Sequence, residues 1–419
     1  MRKAIARVLC CGAVFACSAA PGDVFYPDGA TTLHFAFEGS PNGDRPIVRP
    51  PAFFHADDGF GFVDSPGLVG TSRGVTAPRY FRFDVNLPEG NYDVSVTLGG
   101  TRSESITTVK AEGHRPMLLD VRVGPGQTAT RTFTVNVRHG SAGEKERSLD
   151  LDGRLNLEFA GTDPSLMKLD IKPNEKAVTV YLAGGSTVCD QEEIPFAGWG
   201  QMLPILFKPG EVAVSNQAVG GGTAGSFLAE NRLEGIAKRL RAGDYLVVEF
   251  GASEVDARRP DAAAWQGYLQ AYVEEALRHK VTPILVTAPP RREFDDQGKI
   301  RRGAGDFSEW TRAFAQQHKV ALIDLHADAA AFLEKLGPEG SRRAFVHYAA
   351  GTFPGQAGAL ADDGRFSPYG AMEMAKLVAQ GLKRQGVDLA GHLASEPQSL
   401  LDAGQFPGNL GYDYLLKGK

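Results

Sequence analysis

Cysteine is scarce in this chain, and its placement matters more than its number. Four occur in 419 residues, and Cys10, Cys11 and Cys17 crowd the N-terminus. Beyond residue 20 only Cys189 is left, so that part of the chain cannot close an internal disulfide. A Cys/His cluster is lacking, and Asp244, Asp256, Asp324 and Asp362 do not fall at metal-ligand spacings. No metal and no cofactor is therefore expected. Neither sign of charge is in excess: 45 Lys and Arg stand against 50 Asp and Glu, a net charge of −5. A nucleic-acid partner, which calls for a basic face, is not expected. After the first twenty residues no apolar run is long enough to span a bilayer. Internal repeats and low-complexity segments are also missing.

What is present describes a globular protein. The chain is 42% hydrophobic and 23% charged, with 50 glycines and 25 prolines to make turns. MRKAIARVLCCGAVFACSAA places Arg2, Lys3 and Arg7 before an apolar run that ends in small residues. That is the pattern of a secretory signal over residues 1–20, with cleavage after Ala20. VFAC, ending at Cys17, loosely resembles a lipoprotein site, but Phe15 fits it poorly, so export without a lipid anchor is preferred. The expected location is periplasmic or extracellular.

Two textures follow. Residues 24–172 alternate apolar and polar side chains, as in TTLHFAFEG, YFRFDVNLPEGNYDVSVTLGG, TATRTFTVNVRHG and GRLNLEFAG. Strands at this spacing, parted by Gly, Pro, Asn and Asp, imply a β-sandwich. From 176 to 388 the strands are nearly all apolar: AVTVYLAGG, EVAVSNQAV, DYLVVEFG, PILVTA and VALIDL. Helical stretches such as SFLAENRLEGIAKRLRAG and DAAAWQGYLQAYVEEALRHKV lie between them. Buried strands alternating with helices imply a parallel sheet covered on both faces, with its ligand site beyond the carboxyl ends of the strands. Those ends carry GGSTVCDQ, GGGTAGSF, GASEVD, TAPPRREF, His326 and lastly ADDGRFSPYG. Glycine-rich turns there can aim main-chain N–H groups at a ligand oxygen. Residues 389–419 form a tail of little periodicity.

These blocks, in this order, resemble the SGNH (GDSL) hydrolases, and within them the rhamnogalacturonan acetylesterases and related carbohydrate esterases. VYLAGGSTVCDQ resembles a first block normally written LAGDSTVTDQ. PFAGWGQMLPILFKPGEVAVSNQAVGG resembles the segment that follows it, and RAGDYLVVEFGASEVD resembles a third block normally ending FGHND. VTPILVTAPPRREFDDQGKI and DDGRFSPYGAMEMAKLVAQGLK complete the series. The β region, with TTVKAEGHRPML, is similar to the sandwich that precedes such esterase domains in some bacterial proteins. The implied fold is a flavodoxin-like, three-layer α/β/α domain with a parallel sheet, preceded by a β-sandwich. The implied chemistry is acyl transfer by a serine, activated by a histidine three residues after an aspartate. The oxyanion is held by the serine N–H, a second-block glycine N–H and a third-block asparagine.

Carried over residue by residue, Ser186 stands at the nucleophile, Gly221 at the glycine donor and Asp362 at the triad acid. The remaining positions depart from the pattern. Gly185 replaces the first-block Asp, and Ala252, Ser253 and Glu254 replace the third-block His, Asn and Asp. Gly222, Thr223 and Gly225 replace an Arg, a Ser and an Arg. Asp363, Gly364 and Arg365 replace the last-block Asn, Thr and His. An arginine stays protonated and cannot serve as a base. Three readings follow. The chain is an exported homologue that binds a polysaccharide or oligosaccharide with lost or very weak esterase activity; or a working O-deacetylase with His326 or His347 as a displaced base; or a structural module. Arg365 pairs with Asp362 or Asp363, or clamps an anion, with Arg291 and Arg292 adding to a basic rim. Cys189 is read as a small buried side chain. The sandwich is a spacer or a carbohydrate-binding module, with Phe53, Phe54, Phe60 and Phe62 as its candidate stacking rings.

Overall fold

The computed structural model describes residues 32–37, 48, 52–139, 152–254, 259–301, 306–353 and 355–395. The export segment and most of the C-terminal tail lie outside the described residues. The N-terminal half contains β1 (Leu33–Ala36), β2 (Phe60–Val63), β3 (Val69–Thr71), β4 (Gly74–Thr76), β5 (Tyr80–Asn86) and β6 (Gly90–Gly99). It continues with β7 (Ser105–Ala111), β8 (Arg115–Val123), β9 (Thr128–Val137), β10 (Arg154–Thr162), β11 (Ser165–Leu166) and β12 (Lys168–Pro173). A four-stranded sheet runs β1-β12-β6-β9, a five-stranded sheet runs β2-β5-β10-β7-β8, and a small one runs β11-β4-β3. All pairings in the two larger sheets are antiparallel.

Alternation explains the packing. On β6, Tyr92, Val94, Val96 and Leu98 are buried in the sandwich core. The opposite face carries Ser95 and Thr97, whose hydroxyls meet Thr132 at 2.6 Å and Thr130 at 3.1 Å on β9. The turn at Pro88–Glu89 does not make a hairpin. β5 and β6 lie in different sheets, because the apolar faces of both must meet across the core. Two of the four proposed stacking rings, Phe60 and Phe62, serve that core. Phe62 is buried against Phe37 and Phe81, Phe60 packs on Phe35, and Phe54 lies under the Arg154 guanidinium at 3.9 Å. Phe53 alone of the four is well exposed, at 66%.

The second half is built on β13 (Val178–Gly184), β14 (Val212–Asn216), β15 (Tyr245–Phe250), β16 (Thr282–Thr287) and β17 (Ala321–Ile323). They form one parallel sheet in the order β14-β13-β15-β16-β17. One face packs on α1 (Trp199–Met202), α6 (Leu325–Gly340) and α7 (Pro368–Gln385). The other packs on α2 (Ala224–Ala229), α3 (Arg232–Ala237), α4 (Ala262–Arg278) and α5 (Phe307–His318). β13 shows the division residue by residue: Val180 and Leu182 face the first group, and Tyr181 and Ala183 the second. The stretch SFLAENRLEGIAKRLRAG forms two short helices rather than one, because Asn231 takes a left-handed φ of +57° between them. His347, a candidate displaced base, is not on a loop. It lies instead on β18 (Phe345–Tyr348), which pairs antiparallel with β19 (Leu360–Phe366) and sets His347 opposite Ala361. α7 starts where Ser367 accepts a hydrogen bond from Gly370 N, with Pro368 in its first turn. Among the described residues no helix is long and apolar enough to cross a membrane.

The two halves share buried contacts. Leu119 and Ala160 of the sandwich belong to the same apolar cluster as Val180, Leu182 and Trp199. At the turn between β7 and β8, Glu112 and His114 both take positive φ, +54° and +60°. That turn aims Gly113 O at Gln201 Nε2, 2.6 Å away. The next residue, Arg115, is 1% exposed and donates through Nε (2.9 Å) and Nη2 (2.6 Å) to Asp190 Oδ2.

Candidate functional site

The strand order places the change of winding direction at β13, between β14 and β15, where open α/β sheets form a crevice. A cleft of about 790 Å³ opens at that edge. Ser186, Gly221, Ser253, Asp362 and Arg365 all line it, together with His326, Arg291 and Arg301. The sequence-predicted residues thus come from the loops after β13, β14 and β15 and from β19.

Ser186 stands two residues past the end of β13, after Gly185. Gly221 N donates to Ser186 Oγ at 2.7 Å, and among the described residues this is the hydroxyl's one hydrogen bond. Gly221 needs its φ of +75° to turn that N–H inward, a conformation glycine takes without strain. The block around Ser186 is tied down from several directions. Gln191 Nε2 donates to Ser186 O at 2.9 Å, and Asn216 Nδ2 donates to Val188 O and Asp190 Oδ1, both at 2.9 Å. Arg115 holds the other oxygen of Asp190, so the sandwich helps to fix the loop that carries the serine.

Thr187, next in the chain, donates to Glu249 at the end of β15, at 2.9 Å from Oε2. Trp199 Nε1 donates to the same oxygen at 3.0 Å. Burial pushes the Glu249 carboxyl up to about 7, against the pull of these two donors. Glu254 is also buried, and that burial raises its carboxyl. It accepts from Gly251 N (2.8 Å) and Ala224 N (2.7 Å), bracing two of the cleft loops. Cys189 is buried, with its Sγ beside Gln191 Nε2.

At Arg365 the ion-pair reading describes the contacts. Its Nε donates to Asp362 Oδ2 at 2.7 Å, and its main-chain N donates to Asp362 Oδ1 at 2.8 Å. Its guanidinium also lies over the Phe196 ring, with Cζ 3.8 Å from the centroid. Partial burial would raise the Asp362 carboxyl, but the Arg365 and Gly364 donors outweigh it and hold the group below its usual range. Asp363 belongs to a separate cluster, 2.7 Å from His347 Nε2 and 3.3 Å from Arg292 Nη1. Arg291 lines the cleft, whereas Arg292 is turned to Asp363. His326 lines the cleft, and its Nδ1 lies 3.0 Å from Ala288 O. Neither His326 nor His347 hydrogen-bonds to Ser186 Oγ.

Three positions that the family resemblance marks as departures from its pattern lie against one another. A Cβ at Gly185 would lie 2.8 Å from Gly222 O and 3.1 Å from Ser253 Oγ. The space that an aspartate would need there is thus taken up by two other changed positions. Phe196, Glu249 and Arg115 were missed from the sequence. Phe196 and Arg115 lie within stretches that drew attention as blocks, but nothing local marks either one as a partner of Arg365 or Asp190.

Residues 182–350 match the model of the GDSL-like lipase/acylhydrolase family. The chain is 38% identical to the rhamnogalacturonan acetylesterase RhgT of Bacillus subtilis (strain 168), over 53% of this chain and 96% of that protein. The chain belongs to the GDSL-like lipase/acylhydrolase family. It is also 30% identical to the uncharacterized esterase YxiM of the same organism, over 73% of this chain and 75% of that protein. The crystal structure of YxiM superposes with a TM-score of 0.46 at 27% identity, covering 85% of this chain and 99% of that one. The α/β half, a parallel sheet covered by helices on both faces within the segment that the family model matches, is the SGNH-type, three-layer domain of this GDSL family member. The segment matched by the family model ends before Asp362 and Arg365.

Proposed function

We propose that this GDSL family member is an exported protein that binds acetylated polysaccharide in its cleft and has lost all but a trace of esterase activity. The observation that carries the reading is the partner set of Ser186. Its Oγ has the Gly221 N–H and no histidine, and the residue at the base position is an arginine engaged with Asp362. A serine without a base loses roughly 10⁴–10⁶ in turnover. Ser253 at the oxyanion asparagine position offers a shorter hydroxyl in place of the amide donor; full loss of such a donor is worth a further ~10²–10³, although such losses do not simply add. The carbohydrate ligand class is supported by the relative RhgT, which is named a rhamnogalacturonan acetylesterase. Export is supported by the charged and apolar pattern of residues 1–20.

An active deacetylase using Ser186 has one observation in its favour. His326 faces the cleft, with Nδ1 against a main-chain carbonyl, which fixes its tautomer. It has no hydrogen bond to the serine. The test is acetate release from acetylated pectin and from nitrophenyl acetate by wild type and Ser186→Ala. The proposal expects the two rates to coincide. Ser186-dependent release at an ordinary esterase rate, about 1 s⁻¹ or faster, would overturn it in favour of the deacetylase.

A further inference from the structure

The change from histidine to arginine does more than remove a base, because of how the guanidinium is mounted. Its Nε edge is fixed by Asp362 Oδ2 at 2.7 Å, and its flat face is fixed by the Phe196 ring at 3.8 Å. Together these two contacts set the plane of the group. The opposite edge, Nη1 and Nη2, makes no hydrogen bond among the described residues, and the side chain is 51% exposed where it lines the cleft. Two N–H groups held parallel in a fixed plane match the two oxygens of a carboxylate.

The surrounding charges leave that edge available. Asp362 is already met by Nε and by the main-chain N–H groups of Gly364 and Arg365, both 2.8 Å from Oδ1. Asp363 is offset by Arg292. Of the remaining charged groups lining the cleft, Arg291 and Arg301 outnumber Glu293. Ser253 Oγ lines the same cleft and makes no hydrogen bond among the described residues, so it can donate to or accept from a sugar hydroxyl.

We propose that the cleft recognises the carboxylate of a uronic acid residue through the Nη edge of Arg365, with the rest of the sugar lying toward Ser253 and Ser186. This rests on the reading that the cleft binds carbohydrate. It adds that the arginine is a specificity-determining residue rather than a relic of the lost base. An ester or a reduced sugar would keep the ring and its hydroxyls but not the paired anionic oxygens.

The experiment is calorimetric titration of the full chain with trigalacturonate and with its methyl ester. Wild type is expected to prefer the acid by about ten- to a hundredfold, the size of one charge-assisted contact. Arg365→Gln is expected to bind both forms equally, near the wild-type affinity for the ester. Arg365→Lys, which keeps the charge but not the fork, is expected to retain part of the preference. Equal binding of acid and ester by wild type would overturn this inference while leaving the carbohydrate reading standing. So would a full acid preference that survives in Arg365→Gln. Failure of wild type to bind either form would overturn the carbohydrate reading itself.

Discussion

Glu249 lies beneath the Ser186 loop at 1% exposure, with its carboxyl pushed up to about 7 by burial. A carboxyl whose folded pKa exceeds its unfolded value holds its proton more tightly in the folded state. Its contribution to stability is whole below pH 4.5, the ordinary value, and is lost as pH rises through about 7. The shift of about 2.5 pH units corresponds to about 3 kcal/mol between the two ends of that window. Glu249→Gln removes the ionisation while preserving the size of the side chain. Its amide oxygen can still accept from Trp199, and its amide nitrogen can donate to Thr187 Oγ1. Near pH 5 the variant should match wild type to within about 1 kcal/mol. Near pH 8 it should be more stable by about 3 kcal/mol. Urea unfolding midpoints of both proteins across this range supply the comparison. Glu254, whose charge helps to raise Glu249, is present in both proteins and cancels in the difference to first order. Parallel curves from acid to mild alkali would refute the reasoning, since they would mean that Glu249 is ionised or neutral throughout.

Arg115→Met leaves Asp190 buried without its cation and is expected to cost about 3–5 kcal/mol in unfolding free energy. Adding Asp190→Asn should recover a large part of that loss, and hydrogen exchange in the single variant should rise around residues 186–191. Arg365→His alone is expected to leave nitrophenyl acetate hydrolysis at the wild-type level, because Gly185 and Ser253 remain and Gly222 O blocks the space beside Gly185. A rise of more than about a hundredfold would show the remaining apparatus to be intact.

The architecture was legible where one side chain decides one local choice. The runs around Val180, Val214 and Val247 are apolar on both faces, so a doubly covered parallel sheet is the arrangement that buries them. Tyr92, Val94, Val96 and Leu98 alternate, so one face of their strand had to be core. The spacing narrowed the ion-pair partner of Arg365 to Asp362 or Asp363, and the fold selected Asp362. Other features gave no such signal. Which sheet a strand joins depends on where its apolar face finds a partner, and for β5 and β6 that separated two segments joined by a short turn.

The amino-acid type alone settled that Arg365 cannot accept a proton, since that is a property of the guanidinium in any fold. Residue types also settled that few local alternatives exist for the strands or for the start of α7 at Ser367–Pro368. Tertiary structure decided the rest: that Arg115 reaches Asp190 across 75 residues, that Phe196 supports Arg365, and that Ser253 and Gly222 crowd the space beside Gly185. The difference is one of range. Dihedral preference and side-chain charge act within a few residues, whereas contact between distant segments follows from how the whole chain buries its apolar faces.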